Sequence, residues 1–445
     1  MHTMQSGSTL GTANCPRTVG ALFAFALPLI SLAQESPPVL TPVYINALSE
    51  ELRTNHPALQ AARAQADAAR AGVAGIRTWD DPMLKVGGMF AEERMRADDG
   101  DLIYGIEQKL PLFGRPKLSR RVAEADLATE QAKVEYEFQS RRRDLAQALF
   151  GTALANQVVA IGREDLAWLE RMVQLTEQRY RTGESSLVDL LRLQNEQQKR
   201  ADRLRTEQLQ LDHEQFVLNR LLNRNLESPW PTLELPPIAG PVLYSPRLVE
   251  LALKFEPGLG IRQRAIQQAH SVAQQVRRER LPEIVLGAQG RNYSGNGDFR
   301  QAEVMLGFSF PWSNAGKYRA DRERAQALAL TAEQEAADYA LELREEIHLL
   351  TVRIDAARRE ALLYQDQIVP RSERALDSAQ AAWTANRGLF LDVLDARRML
   401  LDARLMHARA LTEQYVQLSD LVLCCGLGDL EALSMLGAAP ETPIE

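Results

Sequence analysis

Histidine is scarce and scattered. The six, His2, His56, His213, His270, His348 and His407, never fall three or four apart, so no helix carries a two-histidine metal face. The three cysteines form no CxxC. Cys424 and Cys425 are adjacent, and neighbours bridge each other only with strain, so they read as two small apolar residues near a helix end. No P-loop and no G-x-S-x-G occurs. Nothing supplies a nucleophile, an acid–base pair, a metal cluster or a cofactor loop. The chain is expected not to be an enzyme, with no catalytic residue, metal ligand or cofactor assigned. A formal charge of −7 without a dense basic stripe argues against nucleic acid as a partner. The short runs "RRRD" at Arg141 and "RRER" at Arg277 read as solvated or interhelical charges.

Long apolar runs are also missing. The run "VGALFAFALPLISLA", Val19 to Ala33, is shorter than the ~20 residues of a spanning helix. Residues 1–33 hold one charge, Arg17, and end in the small pair Ser31 and Ala33. That is the pattern of a secretory signal peptide cut before Gln34; a buried core helix is the alternative. Cys15 would leave with it, and it is not at the cut, so no lipid-modified N-terminal cysteine is expected. No later segment is long and apolar enough to be a membrane helix. An exported chain without one is soluble or a β-barrel.

What the chain does contain is helix formers and a duplication. Alanine, leucine, glutamine, arginine and glutamate dominate, a composition that favours long helices. Pro57, Pro82 and Pro111 recur as Pro257, Pro282 and Pro311, all at an offset of 200. "YRTGESSLVDLL" at Tyr180 is repeated as "WTANRGLFLDVL" at Trp383, at an offset of 203. A period this long is a duplicated half-domain, not a short solenoid repeat. The expected organisation is a signal peptide (1–33), a first repeat (34–226), a linker (227–245), a second repeat (246–428) and a tail (429–445). "ESPWPTLELPPIAGPVLYSP" makes the linker the one long helix-breaking segment inside the chain.

Each half reads as a moderate helix, two alternating stretches, a very long helix and a second moderate helix. The first moderate helices are expected over 42–76 and 246–280. The long ones are expected over 117–181 and 317–386, the second interrupted only by Pro370. The first would run ~100 Å at 1.5 Å per residue. Such length points to a coiled coil or helical tube. Leu190, Leu204, Leu211 and Leu218 keep heptad spacing, as do Leu394, Leu401, Ala408, Tyr415 and Val422. Helix 186–223 is expected to stack end to end on helix 246–280, matching the long helix in length.

The alternating stretches read as strands over 83–94, 101–112, 283–293 and 301–312. Leu102, Tyr104, Ile106, Gln108, Leu110 and Leu112 share one face; Ile103, Gly105, Glu107 and Lys109 share the other. Val304, Leu306, Phe308, Phe310 and Trp312 repeat the apolar face, opposite Glu303, Met305, Gly307 and Ser309. Runs of 9–11 residues are what tilted strands need to cross a bilayer. "RADDGD" and "SGNGDF" between them are turn-rich. Soluble hairpins are the alternative. Four strands cannot close a barrel, so sharing strands among several chains is expected. Phe113, Phe310 and Trp312 would then sit at the membrane–water boundary; simple corner packing is their other role.

The duplicated "QKLPLFGR" and "FSFPWSNAGK" junctions, both tip turns and "NHPALQAARA" together resemble the TolC family of bacterial outer-membrane efflux ducts. The resemblance implies a mainly α fold with a small membrane β-barrel part. It implies a homotrimer with a 12-stranded barrel in outer-membrane lipid and a 12-helix tunnel in the periplasm. It implies a passive exit, a periplasmic adaptor and an inner-membrane pump of RND type. It places adaptor contact at two turns carrying Arg181, Gly183, Glu184 and Asp189, and Asn386, Gly388 and Asp392. Gly183 and Asn386 suit the left-handed conformation at a helix end; Asp189 and Asp392 could equally serve helix N-terminal charge compensation. It places a tunnel constriction near Asp377 or Glu373, for which a solvated helix face is the alternative. It places the membrane-interface junction at Pro111, Phe113, Gly114, Pro311 and Trp312. The Gly114–Arg115 junction and "DDPML" resemble the heavy-metal branch more than the drug branch. The rival reading is a periplasmic coiled-coil structural or adaptor protein, which would not need four strands with an apolar face.

Overall fold

The computed structural model describes residues 39–89, 101–293 and 297–428. The expected signal peptide, Cys15, residues 90–94 of the first expected strand and the 429–445 tail lie outside the described residues. The first half contains α1 (Pro42–Asn55), α2 (Pro57–Gly75), β1 (Met83–Met89), β2 (Asp101–Lys109), α3 (Arg115–Arg181) and α4 (Leu187–Leu221). The second contains α5 (Pro246–Phe255), α6 (Pro257–Glu279), β3 (Ile284–Tyr293), β4 (Phe299–Phe308), α7 (Ala315–Leu363), α8 (Val369–Thr384) and α9 (Phe390–Cys424).

Proline accounts for most departures from the expected boundaries. The moderate helices expected over 42–76 and 246–280 are each cut in two, at the matched Pro57 and Pro257. A proline in mid-helix removes a donor and clashes with the preceding turn. At the start of a new helix it costs nothing, and each new start is capped. His56 Nδ1 accepts from the Ala58 amide at 3.1 Å, and Glu256 accepts from Gly258 at 2.8 Å and from Leu259. The expected 317–386 helix is likewise α7 and α8, joined by a π-turn at Tyr364–Ile368. Pro370 stands two residues beyond, and the Val369 amide reaches back to the Tyr364 carbonyl. The strands expected to reach residues 112 and 312 end at Lys109 and Phe308, ahead of Pro111 and Pro311.

The four strands form one antiparallel sheet in the order β1-β2-β3-β4. Its register places Leu84 opposite Ile106, Ile106 opposite Ala288 and Ala288 opposite Val304. One face therefore carries Leu84, Val86, Tyr104, Ile106, Leu286, Val304 and Leu306, all exposed. The opposite face carries Lys85 ion-paired to Glu107, and Gln289 bonded to Glu303 at 2.6 Å.

The helices lie side by side. α3 packs along α2, α6, α4 and α9, while α7 packs along α6 and α9. The end-to-end stacking is within each half, not between halves as expected. Leu218 and Leu222 at the end of α4 share a core with Leu52 and Leu59. Glu51 and Arg224 close that joint with bonds of 2.6 and 2.7 Å. The end of α9 meets α5 in the same way, with Leu418, Leu421 and Cys425 packed on Leu248 and Ala252. The cause is the linker, which folds back as a strap. Fully buried Asn219 donates to the carbonyls of Leu226 and Ser228 and accepts from Trp230 Nε1. Tyr415 donates to the Pro237 carbonyl at 2.6 Å. Burial pushes the Cys425 thiol up to about 12 and raises Cys424 as well, which fits apolar packing rather than reactivity. One window of α3 passes as a membrane span by length and composition, contrary to the expectation that none would, but 61% of it is buried inside the protein.

Gly426 lies at φ +60°, and a Cβ there would overlap the Phe255 carbonyl. Gly426→Ala is expected to lower stability by at least about 2 kcal/mol, read as a lower thermal midpoint in detergent.

Candidate functional site

Two regions carry the residues singled out by sequence: the strand–helix junctions and the far turns of the helical hairpins. At the first junction Leu112–Gly114 forms a 3-10 turn in which Phe113 (φ 59°) and Gly114 (φ 70°) are both left-handed. Phenylalanine rarely adopts that conformation. The second junction, Pro311–Asn314, has one more residue and no positive φ. The longer "WSNAG" turn reaches α7 without left-handed backbone. Phe113 and Trp312 are exposed, and Phe310 meets Trp312 edge-on at 4.9 Å. Glu283 ties the junction together: it accepts from Lys109 at 2.9 Å and from Arg115. Arg115 also donates to the Leu281 carbonyl. Sequence reasoning missed Glu283; its place directly after Pro282 was the available signal.

At the far end both turns are Schellman motifs. Glu184 donates to the Arg179 carbonyl and Gly183 to Tyr180; Arg387 donates to Ala382 and Asn386 to Trp383. Gly183 (φ 80°) and Asn386 (φ 56°) take the left-handed position. Asparagine replaces glycine in the second turn because its side chain is used: Asn386 Oδ1 accepts from Arg179, whose guanidinium lies 4.5 Å over the Trp383 ring. One buried arginine thus joins the two hairpin tips. Gly388 sits against Ala382, where an added Cβ would make a tight contact at 3.0 Å. Asp189 completes a cap, its amide and carboxylate both bonded to the Ser186 hydroxyl. Asp392 sits in the first turn of α9, which has no side-chain cap. Arg181 pairs with Glu177 at 2.7 Å, and Glu184 with Arg179 at 3.7 Å. Leu187, Val188, Leu191, Leu389 and Leu391 stand exposed around both turns.

Of the constriction candidates, Glu373 accepts from Arg404 at 2.8 Å. Asp377 is exposed and makes no ion pair among the described residues. Higher up, Asp165 on α3 is 3% exposed and faces Arg397 of α9 at 2.9 Å and Arg200 of α4 at 3.6 Å. Arg200 continues to Glu207 at 2.6 Å, in the space that Gly162 leaves free. Two acids and two arginines neutralise one another where three helices meet, the condition for burying charge at tolerable cost. Nothing in the sequence marked this cluster, since its members lie on three separate helices.

The description "Outer membrane efflux protein" matches residues 48–224 and again 248–427. The chain belongs to that family: it is an outer-membrane efflux channel whose helical part lies in the periplasm. It is 22% identical to the cobalt-zinc-cadmium resistance protein CzcC of Cupriavidus metallidurans, over 80% of this chain and 84% of that one. Its fold is shared with the channel protein CusC (TM-score 0.76, 18% identity, 89% of this chain and 96% of that one). It is shared too with the CmeC outer membrane channel of Campylobacter jejuni (TM-score 0.74, 14% identity, 95% and 98%).

Two predictions follow from the geometry of these helices. Asn386→Ala loses the Arg179 bond and places a Cβ-bearing residue without local compensation in the left-handed region. The expected cost is about 2 kcal/mol, seen as faster hydrogen exchange at the Arg387 amide; Asn386→Gly should lose less. Burial holds His407 below its ordinary 6.5, and burial followed by the Arg141 charge does so for His56. The unfolded chain then binds more protons below 6.5, so stability rises with pH there and is lost as pH falls from 6.5 toward the depressed values. Acidification also removes the His56 acceptor that caps α2. A double His56→Asn/His407→Leu variant should show a flatter melting profile between pH 7 and 5.

Proposed function

We propose that three copies of this chain assemble into a passive duct, with a 12-stranded barrel and a 12-helix periplasmic tunnel. The observation that carries it is the sheet: among the described residues it has four strands, an apolar face exposed to solvent, and outer edges on β1 and β4 without a partner strand. A bilayer admits strands only in closed barrels. Three sheets joined edge to edge would close one, with Lys85, Glu107, Gln289 and Glu303 inside and Val86, Ile106 and Leu306 against lipid. The outermost helices, α2 and α4 on one side and α7 and α8 on the other, would meet in the same way. Pro111, Phe113, Gly114, Pro311 and Trp312 would stand at the membrane boundary.

A periplasmic adaptor docks on the two hairpin turns, at Arg181, Gly183, Glu184, Asp189, Asn386, Gly388 and Asp392, and an RND-type inner-membrane pump drives transport. The exposed leucines around rigid turns support that reading. Asp377 is the residue we assign to the constriction. We assign heavy-metal cations as cargo, on the resistance named for the relative CzcC.

Purified protein is expected to run as a trimer in detergent and to change gel mobility on heating. A mature chain that stayed wholly soluble without detergent would refute the duct. A deletion strain should lose tolerance to cobalt, zinc or cadmium; unchanged tolerance would remove the cargo assignment and leave the duct intact.

A further inference from the structure

The starts of α3 and α7, directly below the sheet, carry charge of the wrong sign for their position. Residues 115–124, 277–280 and 315–324 contain eleven basic and four acidic side chains, in a chain whose net charge is −7. The first turns of α3 and α7 hold no acidic residue. Positive charge at a helix N-terminus opposes the helix dipole, so the fold itself gains nothing from cations there. Only two of them are neutralised by an acidic partner among the described residues. Arg115 pairs with Glu283 and Arg120 with Glu124. In the single chain Lys117, Arg121, Lys317, Arg319 and Arg322 are exposed and make no ion pair among the described residues. "RRER" at Arg277, expected to be solvated or interhelical, adds three more exposed guanidiniums to the same level, here at the end of α6, where the helix dipole favours them. By contrast the "RRRD" run lower on α3 is paired, through Arg141 to Glu137 and Arg143 to Asp144.

The level is set by the junction. Lys117 to Arg121 and Lys317 to Arg322 lie within about 10 Å of the helix starts, at 1.5 Å per residue. The headgroup zone adds ~6 Å beyond the hydrocarbon on each side. The exposed rings of Phe113, Phe310 and Trp312 stand between the apolar sheet face and these cations. An apolar band, then aromatic rings, then unpaired cations is the order of a bilayer leaflet with anionic headgroups.

We propose that this basic collar binds the anionic phospholipid headgroups of the periplasmic leaflet and so fixes how deep the barrel sits. The proposal rests on the barrel reading above. Each cation within a Debye length of an anionic surface adds to the attraction. Arginine and lysine without protein partners keep their donors free for phosphate oxygens.

The test titrates detergent-solubilised full-length protein with phosphatidylglycerol, phosphatidylcholine or inorganic phosphate and reads the melting temperature. Phosphatidylglycerol should raise it and phosphatidylcholine should not. A variant carrying Lys117→Gln, Arg121→Gln, Lys317→Gln, Arg319→Gln and Arg322→Gln should lose about tenfold or more in apparent affinity for phosphatidylglycerol, as should the unmodified protein in ~0.5 M salt. A charge-conserving Arg121→Lys/Arg319→Lys/Arg322→Lys variant should retain the effect, which guards against a folding defect. Equal shifts with both lipids, or an undiminished response in the glutamine variant, would overturn the proposal. An equal response to inorganic phosphate would also overturn it, marking a free-anion site. Insertion into purely neutral liposomes is measured alongside: its failure counts against the barrel, whereas insertion without lipid preference counts against the collar alone.

Discussion

Backbone hydrogen bonding in lipid tolerates no open edge, and this constraint organises the rest of the molecule. The four-stranded sheet of the described residues leaves two edges unmade. It cannot satisfy them alone, so in the proposed trimer every long element is shaped for neighbours. The exposed apolar sheet face and the side-by-side layer of helices, with partners lacking at both margins, are consequences of that shortage. The strand–helix junctions then determine how a sheet passes into a helical layer. Glu283, paired with Lys109 and Arg115, ties the end of β2 to the start of α3 at the first junction.

Within the helical part, helix ends do the positioning. Four Schellman turns, at Gly183, Asn223, Asn386 and Gly426, fall in two matched pairs. The first of each pair ends a helix in one half, and the second ends its counterpart. Each satisfies otherwise orphaned carbonyls while reversing or stopping the chain. Glycine and asparagine exchange between matched positions because the requirement is a positive φ. The asparagine is kept where its side chain has a further bond to make, as Asn386 does with Arg179. The copies have diverged most where helices must bend: α3 is continuous, while its counterpart breaks at the π-turn beside Pro370.

Charge is handled in two ways. Inside the helical layer it is cancelled locally, as with Asp165, Arg200, Arg397 and Glu207. Below the sheet it is left uncancelled on exposed side chains. The first arrangement is expected of buried ions, whose desolvation is costly without partners. The second is the arrangement proposed to meet anionic lipid headgroups.

Much of this was legible in the sequence because it is local or periodic. Prolines at a constant offset exposed the duplication. Alternation from Leu102 to Lys109 and from Glu303 to Phe308 marked strands and sorted their faces. Glycine and asparagine marked the left-handed turns. Other features were decided only by tertiary structure. Stacking of α4 on α2 depends on the linker strap held by Asn219, and periodicity contains no term for how a loop folds back. Arg179 with Asn386, and Asp165 with Arg397, join residues more than two hundred positions apart. Either arginine could have faced solvent with the same heptads intact. Local sequence sets which face of an element is apolar; only packing determines which polar groups that burial brings together.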